Sequence, residues 1–298
     1  MTLASSDQLT RFMLPELGIR GVAIHLQDSL SKIQSRPEYS EAVSQLLGEA
    51  VAAASILSSH VKVDGRLSLQ LKSNGALRTL FAESTANHTV RGIAQIAEDM
   101  AAPEVMDLTA NGLDQYLAIT IENRGVGNRE MQRYQGLVEV NGPTLAGALE
   151  NYFVQSEQLP TRFLLAAGNG QAAGLMLQKL PETAQDQDGW DRATALFDTL
   201  GEAELLETAS ADVLHRLFHE ETLDILETQE IGFACSCSRE RARDMLASLG
   251  PEEGVEPTED DTNVKCEFCG EEYVFTASEM AEIHSEAESE QAGSSTLH

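Results

Sequence analysis

Cys235, Cys237, Cys266 and Cys269 are the only cysteines among 298 residues, and all four lie in the last quarter of the chain. Thiolates are the donors zinc takes in closed structural sites, four of them at about 2.3 Å in a tetrahedron. Cys235-Ser-Cys237 and Cys266-Glu-Phe-Cys269, separated by residues 238–265, provide four corners once a loop or hairpin brings them together. One Cys-x-x-Cys alone is shared with redox dithiols; two pairs with no other cysteine point to one Zn2+ per chain. A secreted disulfide framework would scatter its cysteines through a small domain, whereas residues 1–234 contain none.

Each pair is also local enough to close as a small disulfide, if the backbone brings its Cα atoms to about 5–6 Å. Structural zinc contributes about 10–16 kcal/mol to a small module at neutral pH. Closing a loop of a few residues by a disulfide contributes only about 2 kcal/mol. Oxidation would exchange the larger stabilisation for the smaller, so a module held by metal should unfold although it gains two crosslinks.

Other constellations fall away. His219-Glu220-Glu221 with Cys266-x-x-Cys269 has a faint likeness to the zinc deaminase signature. Lys265 stands where that signature needs proline, and Cys235 and Cys237 would be idle. Gly168-Asn-Gly170-Gln-Ala-Ala-Gly174 follows a strand but breaks the dinucleotide-binding spacing and leads into another strand, so it reads as a hairpin turn. No glycine-rich loop carries the Lys-Ser/Thr of a nucleotide site, and Ser, His and Asp residues do not cluster. No catalytic residue and no nucleotide are assigned, and the chain reads as a non-enzyme.

Composition narrows the partners. There are 48 acidic against 20 basic side chains, a formal net charge of −28 at pH 7. That field repels nucleic acid, and no Lys/Arg cluster overrides it. The alternative of a zinc-ribbon nucleic-acid or protein interaction module would place basic and aromatic residues between the cysteine pairs. Pro251-Glu-Glu-Gly-Val-Glu-Pro-Thr-Glu-Asp-Asp261 is instead strongly acidic. High negative charge favours solubility, which suits a protein that exposes apolar surface, and is equally the mark of an acid-adapted proteome. No unbroken run of eighteen apolar residues suggests a membrane span, and Met1-Thr-Leu-Ala-Ser-Ser-Asp-Gln8 lacks the regions of a signal peptide, so a cytoplasmic protein is expected.

The elements that must position the cysteines follow from periodicity. Residues 1–180 read as an α+β core domain, a mixed or antiparallel sheet with flanking helices. Strands are expected over Gly21–Leu26, Arg66–Lys72, Leu77–Phe81, Tyr116–Ile121, Gly136–Val140, Thr161–Ala166 and Gly174–Gln178. Helices are expected near Asp28–Ser35, over a buried Glu41–His60, and over Pro143–Gln155 with the proline in its first turn. Residues 181–230 read as a metastable linker of short amphipathic helices. One face would carry Trp190, Ala193, Phe197 and Leu200, and another Val213, Leu214, Leu217 and Phe218. Helices this short depend on a docking surface. Residues 231–284 form a small zinc-binding domain, and the Ser/Glu/Gly-rich stretch 285–298 reads as a disordered acidic tail.

Phe233-Ala-Cys235-Ser-Cys237-Ser-Arg-Glu-Arg241 with Cys266-Glu-Phe-Cys269-Gly-x-x-Tyr273-x-Phe275 resembles the 33-kDa heat-shock protein family of redox-regulated chaperones. The likeness extends through Glu150-Asn-Tyr-Phe-Val-Gln-Ser-Glu-Gln158-Leu-Pro-Thr161, Gly174-Leu-Met-Leu-Gln-Lys-Leu-Pro181 and Arg216-Leu-Phe-His-Glu-Glu221, in order. It covers nearly the whole chain up to Ser285. The resemblance implies an ATP-independent holdase, inactive while its four cysteines hold zinc. It further implies activation by oxidants such as hypochlorous acid, with disulfides Cys235–Cys237 and Cys266–Cys269, zinc release, linker unfolding, homodimerisation and capture of unfolding clients. Client-contact residues are not assigned by sequence.

Overall fold

In the computed structural model the described residues are all but 1–6, 36–38, 62, 105–106, 111–114, 125–131, 141, 182–187, 250–260 and 295–298, and side chains are described to Ser285. Most of the acidic stretch 251–261 therefore lies outside the described residues, as does most of the polar stretch opening the linker. Two compact units divide between Ala234 and Cys235.

The first unit is organised by one helix, α2 (Glu41–His60), in the expected place. Ser40 caps it by accepting from the Val43 N–H at 3.4 Å. Ala50, Ala52, Ala53 and Ala54 are fully buried, and such small residues let two sheets close on one helix. The first sheet runs β10 (Asp224–Glu230), β1 (Gln8–Leu14), β2 (Ile19–Leu26), β9 (Gln171–Lys179), β8 (Thr161–Gly168). The second runs β11 (Gly232–Phe233), β5 (Thr89–Ile96), β4 (Leu77–Thr85), β3 (Gly65–Lys72), β6 (Tyr116–Asn123), β7 (Gln132–Val138). Every pairing is antiparallel except β11 with β5, which gives the mixed α+β architecture expected. Val22, Ile24 and Met176 from one sheet and Leu67, Leu69 and Leu80 from the other share the core with α2. By length and composition α2 would also span a membrane, but 72% of its apolar window is buried, so here it is a core helix.

The opposite face of the first sheet is covered by α4 (Gly189–Phe197), α5 (Glu202–Glu207) and α6 (Ser210–Phe218). Period two places Phe12, Leu14, Ile19, Ala23, Leu175 and Leu177 on that face, against Ala193, Phe197, Leu205, Val213, Leu214 and Phe218. The two helical faces read from the sequence thus share one docking surface. Gly21 makes the fit possible: a Cβ there would lie 2.1 Å from the Phe12 ring, so only glycine leaves room for that side chain.

Three expectations are corrected. Segment 181–230 is not wholly helical, because β10 pairs with β1 from Gln8↔Glu230 to Met13↔Asp224. Most of its side chains face solvent, so it shows no alternating pattern. The helix expected from Pro143 is α3 (Leu145–Tyr152); Thr144 caps it by accepting from the Gly147 N–H, which leaves Pro143 outside the first turn. The tail is helical further than expected: α8 runs Ala277–Ser294, favoured by its Ala, Glu and Gln content, and 295–298 lie outside the described residues. The glycine-rich run is a β8–β9 hairpin turn, with Asn169 and Gly170 at φ 52° and 75°.

Two half-buried groups, His60 and Glu49, contribute opposite responses to acid. Burial, then the neighbouring Arg20 guanidinium, hold His60 down at about 3, and Arg20 Nη2 donates to its neutral Nε2 at 2.8 Å. The unfolded chain takes up a proton near pH 6.5 that native His60 refuses, so this contribution is full above 6.5 and falls toward pH 3. Glu49, on α2, is raised to about 7 by burial and then by Glu202 of α5. Its native carboxyl keeps a proton the unfolded chain releases, so stability rises as pH falls from about 7 toward 4.5. The slopes oppose each other between pH 4.5 and 6.5. Glu49→Gln should remove one and expose a loss of about 1.4 kcal/mol per pH unit, read as urea midpoints across that window. A variant whose midpoints track the parent's would contradict this.

Candidate metal centre

The second unit builds its site from two segments. The first continues from Cys235 through Cys237 into α7 (Arg239–Leu249), which Ser238 caps by accepting from the Arg241 N–H at 3.2 Å. The second is a hairpin of β12 (Thr262–Lys265) and β13 (Glu272–Phe275), with Cys266 and Cys269 in its turn. Cys266 N donates to Glu271 O at 2.8 Å and Gly270 N to Cys266 O at 2.7 Å. Gly270 turns the chain at φ 65°, a conformation glycine adopts without strain. A small core of Ala242, Leu246, Phe275, Met280 and Ile283 joins α7, the hairpin and α8.

All four cysteines are free thiols, partly buried, with every Sγ within 4.8 Å of the others. Sulfurs from different segments approach closely: Cys235 and Cys266 at 3.7 Å, Cys237 and Cys269 at 3.3 Å. A tetrahedral zinc at about 2.3 Å from each sulfur spaces its ligands about 3.8 Å apart, so cage size and donor chemistry both fit that ion. The sequence-predicted residues are thus all brought together.

The sulfurs differ. Burial pushes Cys235 up, and pushes Cys269 up to about 12. At Cys237 burial is outweighed by the Tyr273 hydroxyl, which donates to Sγ at 3.2 Å, and by the other thiols, so its pKa is lowered.

Tyr273 and Arg239 have roles that spacing alone missed. Alternation along β13 puts Tyr273 and Phe275 on its inner face. Arg239 donates to Val274 O at 2.7 Å, pairs with Glu279 at 2.7 Å and lies 4.3 Å above the Phe275 ring. It clasps α7 to the hairpin and α8. Thr276 and Glu279 cap α8 reciprocally: Thr276 N donates to Glu279 Oε2 at 2.9 Å, and Glu279 N to Thr276 Oγ1 at 3.3 Å. Arg239→Ala should weaken the module by about 1–3 kcal/mol and speed zinc loss to a competing chelator by about tenfold or more. Parental rates of loss would show that the clasp does not hold the cage.

The family model described as Hsp33 protein matches residues 7–276. The chain belongs to the Hsp33 family. The 33 kDa chaperonin of Pseudomonas aeruginosa is 41% identical over 99% of this chain and all of its own length. That of Ectopseudomonas mendocina is 40% identical over 98% of this chain and all of its own. The crystal structure of the 33 kDa chaperonin (heat shock protein 33 homolog) of Thermotoga maritima superposes with a TM-score of 0.77 over 94% of this chain and 98% of that one. At 23% identity this last likeness concerns the fold. Membership of the Hsp33 family makes the chain a molecular chaperone and not an enzyme.

Proposed function

We propose that this chaperone is an ATP-independent holdase switched by oxidation, with Cys235, Cys237, Cys266 and Cys269 as the ligands of one Zn2+. The observation that carries the proposal is the cross-segment cage, in which sulfurs 3.3 Å and 3.7 Å apart join residues 235–237 to 266–269. Zinc binds those two segments together. Disulfides Cys235–Cys237 and Cys266–Cys269 would close only local loops and leave the segments untied from each other. Each disulfide releases two electrons, which one hypochlorous acid accepts with a proton to give chloride and water. Zinc leaves as its thiolates are consumed. About 10–16 kcal/mol of metal stabilisation then gives way to about 2 kcal/mol per disulfide, and the module unfolds.

The same event reaches the linker through the chain. Cys235 follows directly on Ala234, whose N–H donates to Val90 O at 3.3 Å, and on β11, which pairs with β5 over two residues. We read 181–230 as the labile linker and 231–284 as the switch domain. When the switch domain no longer holds its shape, the short stitch before it frays. Helices α4–α6, of six to nine residues, cannot stand without their docking face. The apolar face bearing Phe12, Leu14 and Leu175 and the released faces of Phe197 and Phe218 become surface for unfolding clients. A second copy would share that surface, which accounts for dimerisation on activation. A reducing cytoplasm is the compartment in which free thiols would wait for an oxidant.

The test pairs two readings on one sample. Reduced protein should hold one zinc per chain and leave a heated client to aggregate, while hypochlorous acid should release the zinc and turn suppression on together. Oxidised, zinc-free protein that suppresses no better than the reduced form would overturn the reading.

A further inference from the structure

We propose that the outer edge of β1 holds an extended segment of the client by strand addition, and that β10 is the chain's own stand-in for that client. The inference rests on the holdase reading and names where and how its client is held. The way β10 is attached carries it. Its ladder to β1 is continuous from Gln8↔Glu230 to Met13↔Asp224, broken only by a bulge at Arg11/Phe12. Its side chains contribute little, since Ile225 and Leu226 are 52% and 55% exposed. The ties beyond the backbone are a Thr10–Thr228 hydroxyl contact at 3.2 Å and an exposed Arg11–Glu227 pair at 3.5 Å, and such a surface pair is weak.

A strand held by its backbone can be replaced by almost any other extended chain, which is what a holder of unlike clients requires. β1 remains when β10 leaves, because Leu9 and Phe12 are anchored in the cores on either face of the sheet. Side chains of an incoming strand would find room on both faces. One groove lies by Gln8, Thr10 and His25 of the sheet itself, and the other by Arg11, His60 and Val63. The incumbent carries Asp224, Glu227 and Glu230, charges that keep an edge from recruiting other chains. Its continuation is also stitched by backbone: Ile231 N donates to Asp7 O at 3.0 Å and Gly232 N to His88 O at 2.9 Å. Release that begins at Cys235 would therefore peel β11 and then β10, and bare the β1 edge. An apolar extended segment of an unfolding protein is the occupant this edge fits.

Hydrogen exchange on the unmodified protein decides the point. In the oxidised protein alone, β10 amides and the β1 amides that face them should both exchange fast. Adding a thermally unfolding client should restore protection to β1 and not to β10. The proposal is overturned if β1 exchange ignores the client, if β10 stays protected in the complex, or if β1 is already protected without client, which would give the edge to a second copy. A staple gives an independent readout: Thr10→Cys with Thr228→Cys places two thiols where hydroxyls now touch. With zinc released and α4–α6 open, the stapled protein should suppress aggregation about tenfold less well than either single variant; equal suppression overturns the proposal. Should the oxidised parent itself fail to suppress, the holdase reading falls first, before the edge is in question.

Discussion

Phe218→Ala is expected to switch the reduced, zinc-loaded protein partly on. Phe218 is 1% exposed and its ring centroid lies 6.2 Å from that of Phe12, at the centre of the surface that joins linker to sheet. Emptying such a site costs about 3–5 kcal/mol. In a long helix inside a core that loss would be spread over the whole fold. Here it falls on α6, nine residues whose helicity depends on docking, and on neighbours α4 and α5 that share the same cluster. The linker should open at a temperature where the parent stays closed, without oxidant. Light scattering of a heated client checks this, together with zinc content, which should stay at one per chain. A variant that loses linker helicity by circular dichroism, keeps its zinc and still fails to suppress would show that uncovering this face is not sufficient.

Cys266→Ser should act from the other end. It removes one of four thiolates, one that packs 3.7 Å from Cys235 and so helps join the two segments. Losing a ligand costs affinity well beyond the roughly 10–100-fold that a supporting residue around a metal is worth. The expected protein holds no zinc against a micromolar chelator, has an unfolded switch domain, and suppresses aggregation in reductant. Its thermal unfolding should show the core around α2 intact, because that core owes nothing to the cysteines. Full zinc occupancy in this variant would mean that three sulfurs suffice and that the cage is not the latch. Full zinc loss without activity would separate the metal from the linker.

How much of this was legible in the sequence depends on where each contact is made. The cage was legible because its signal is local: two pairs of a residue type used nowhere else. α2 was legible because a helix buried between two sheets must be apolar on every side, and its Ala/Leu/Val run says so. The β3–β4 and β8–β9 hairpins announced themselves by alternation and by turns such as Asn169-Gly170, whereas β5 was not expected. β10 was not legible. Its sequence, Asp-Ile-Leu-Glu-Thr-Gln-Glu, lacks a buried face, and its partner β1 lies more than two hundred residues away. β1 itself hides because Leu9 belongs to one core and Phe12 and Leu14 to the other, so its apolar residues fill both faces instead of alternating. Tyr273 and Arg239 could be noticed in the motif, but what they touch depends on how the β12–β13 hairpin folds back toward Cys237 and α7. These are cases of tertiary contact, which a local pattern does not carry.

Hydrogen exchange across residues 189–218, before and after hypochlorous acid, tests most directly whether the cysteine cage governs the cover over the first sheet. The reduced protein should protect the amides of α4, α5 and α6. The oxidised protein, once its zinc is in solution, should lose that protection throughout while α2 keeps its own. Protection that persists in α4–α6 after zinc has left would contradict the account, leaving a metal site with no hold on the surface it was argued to control.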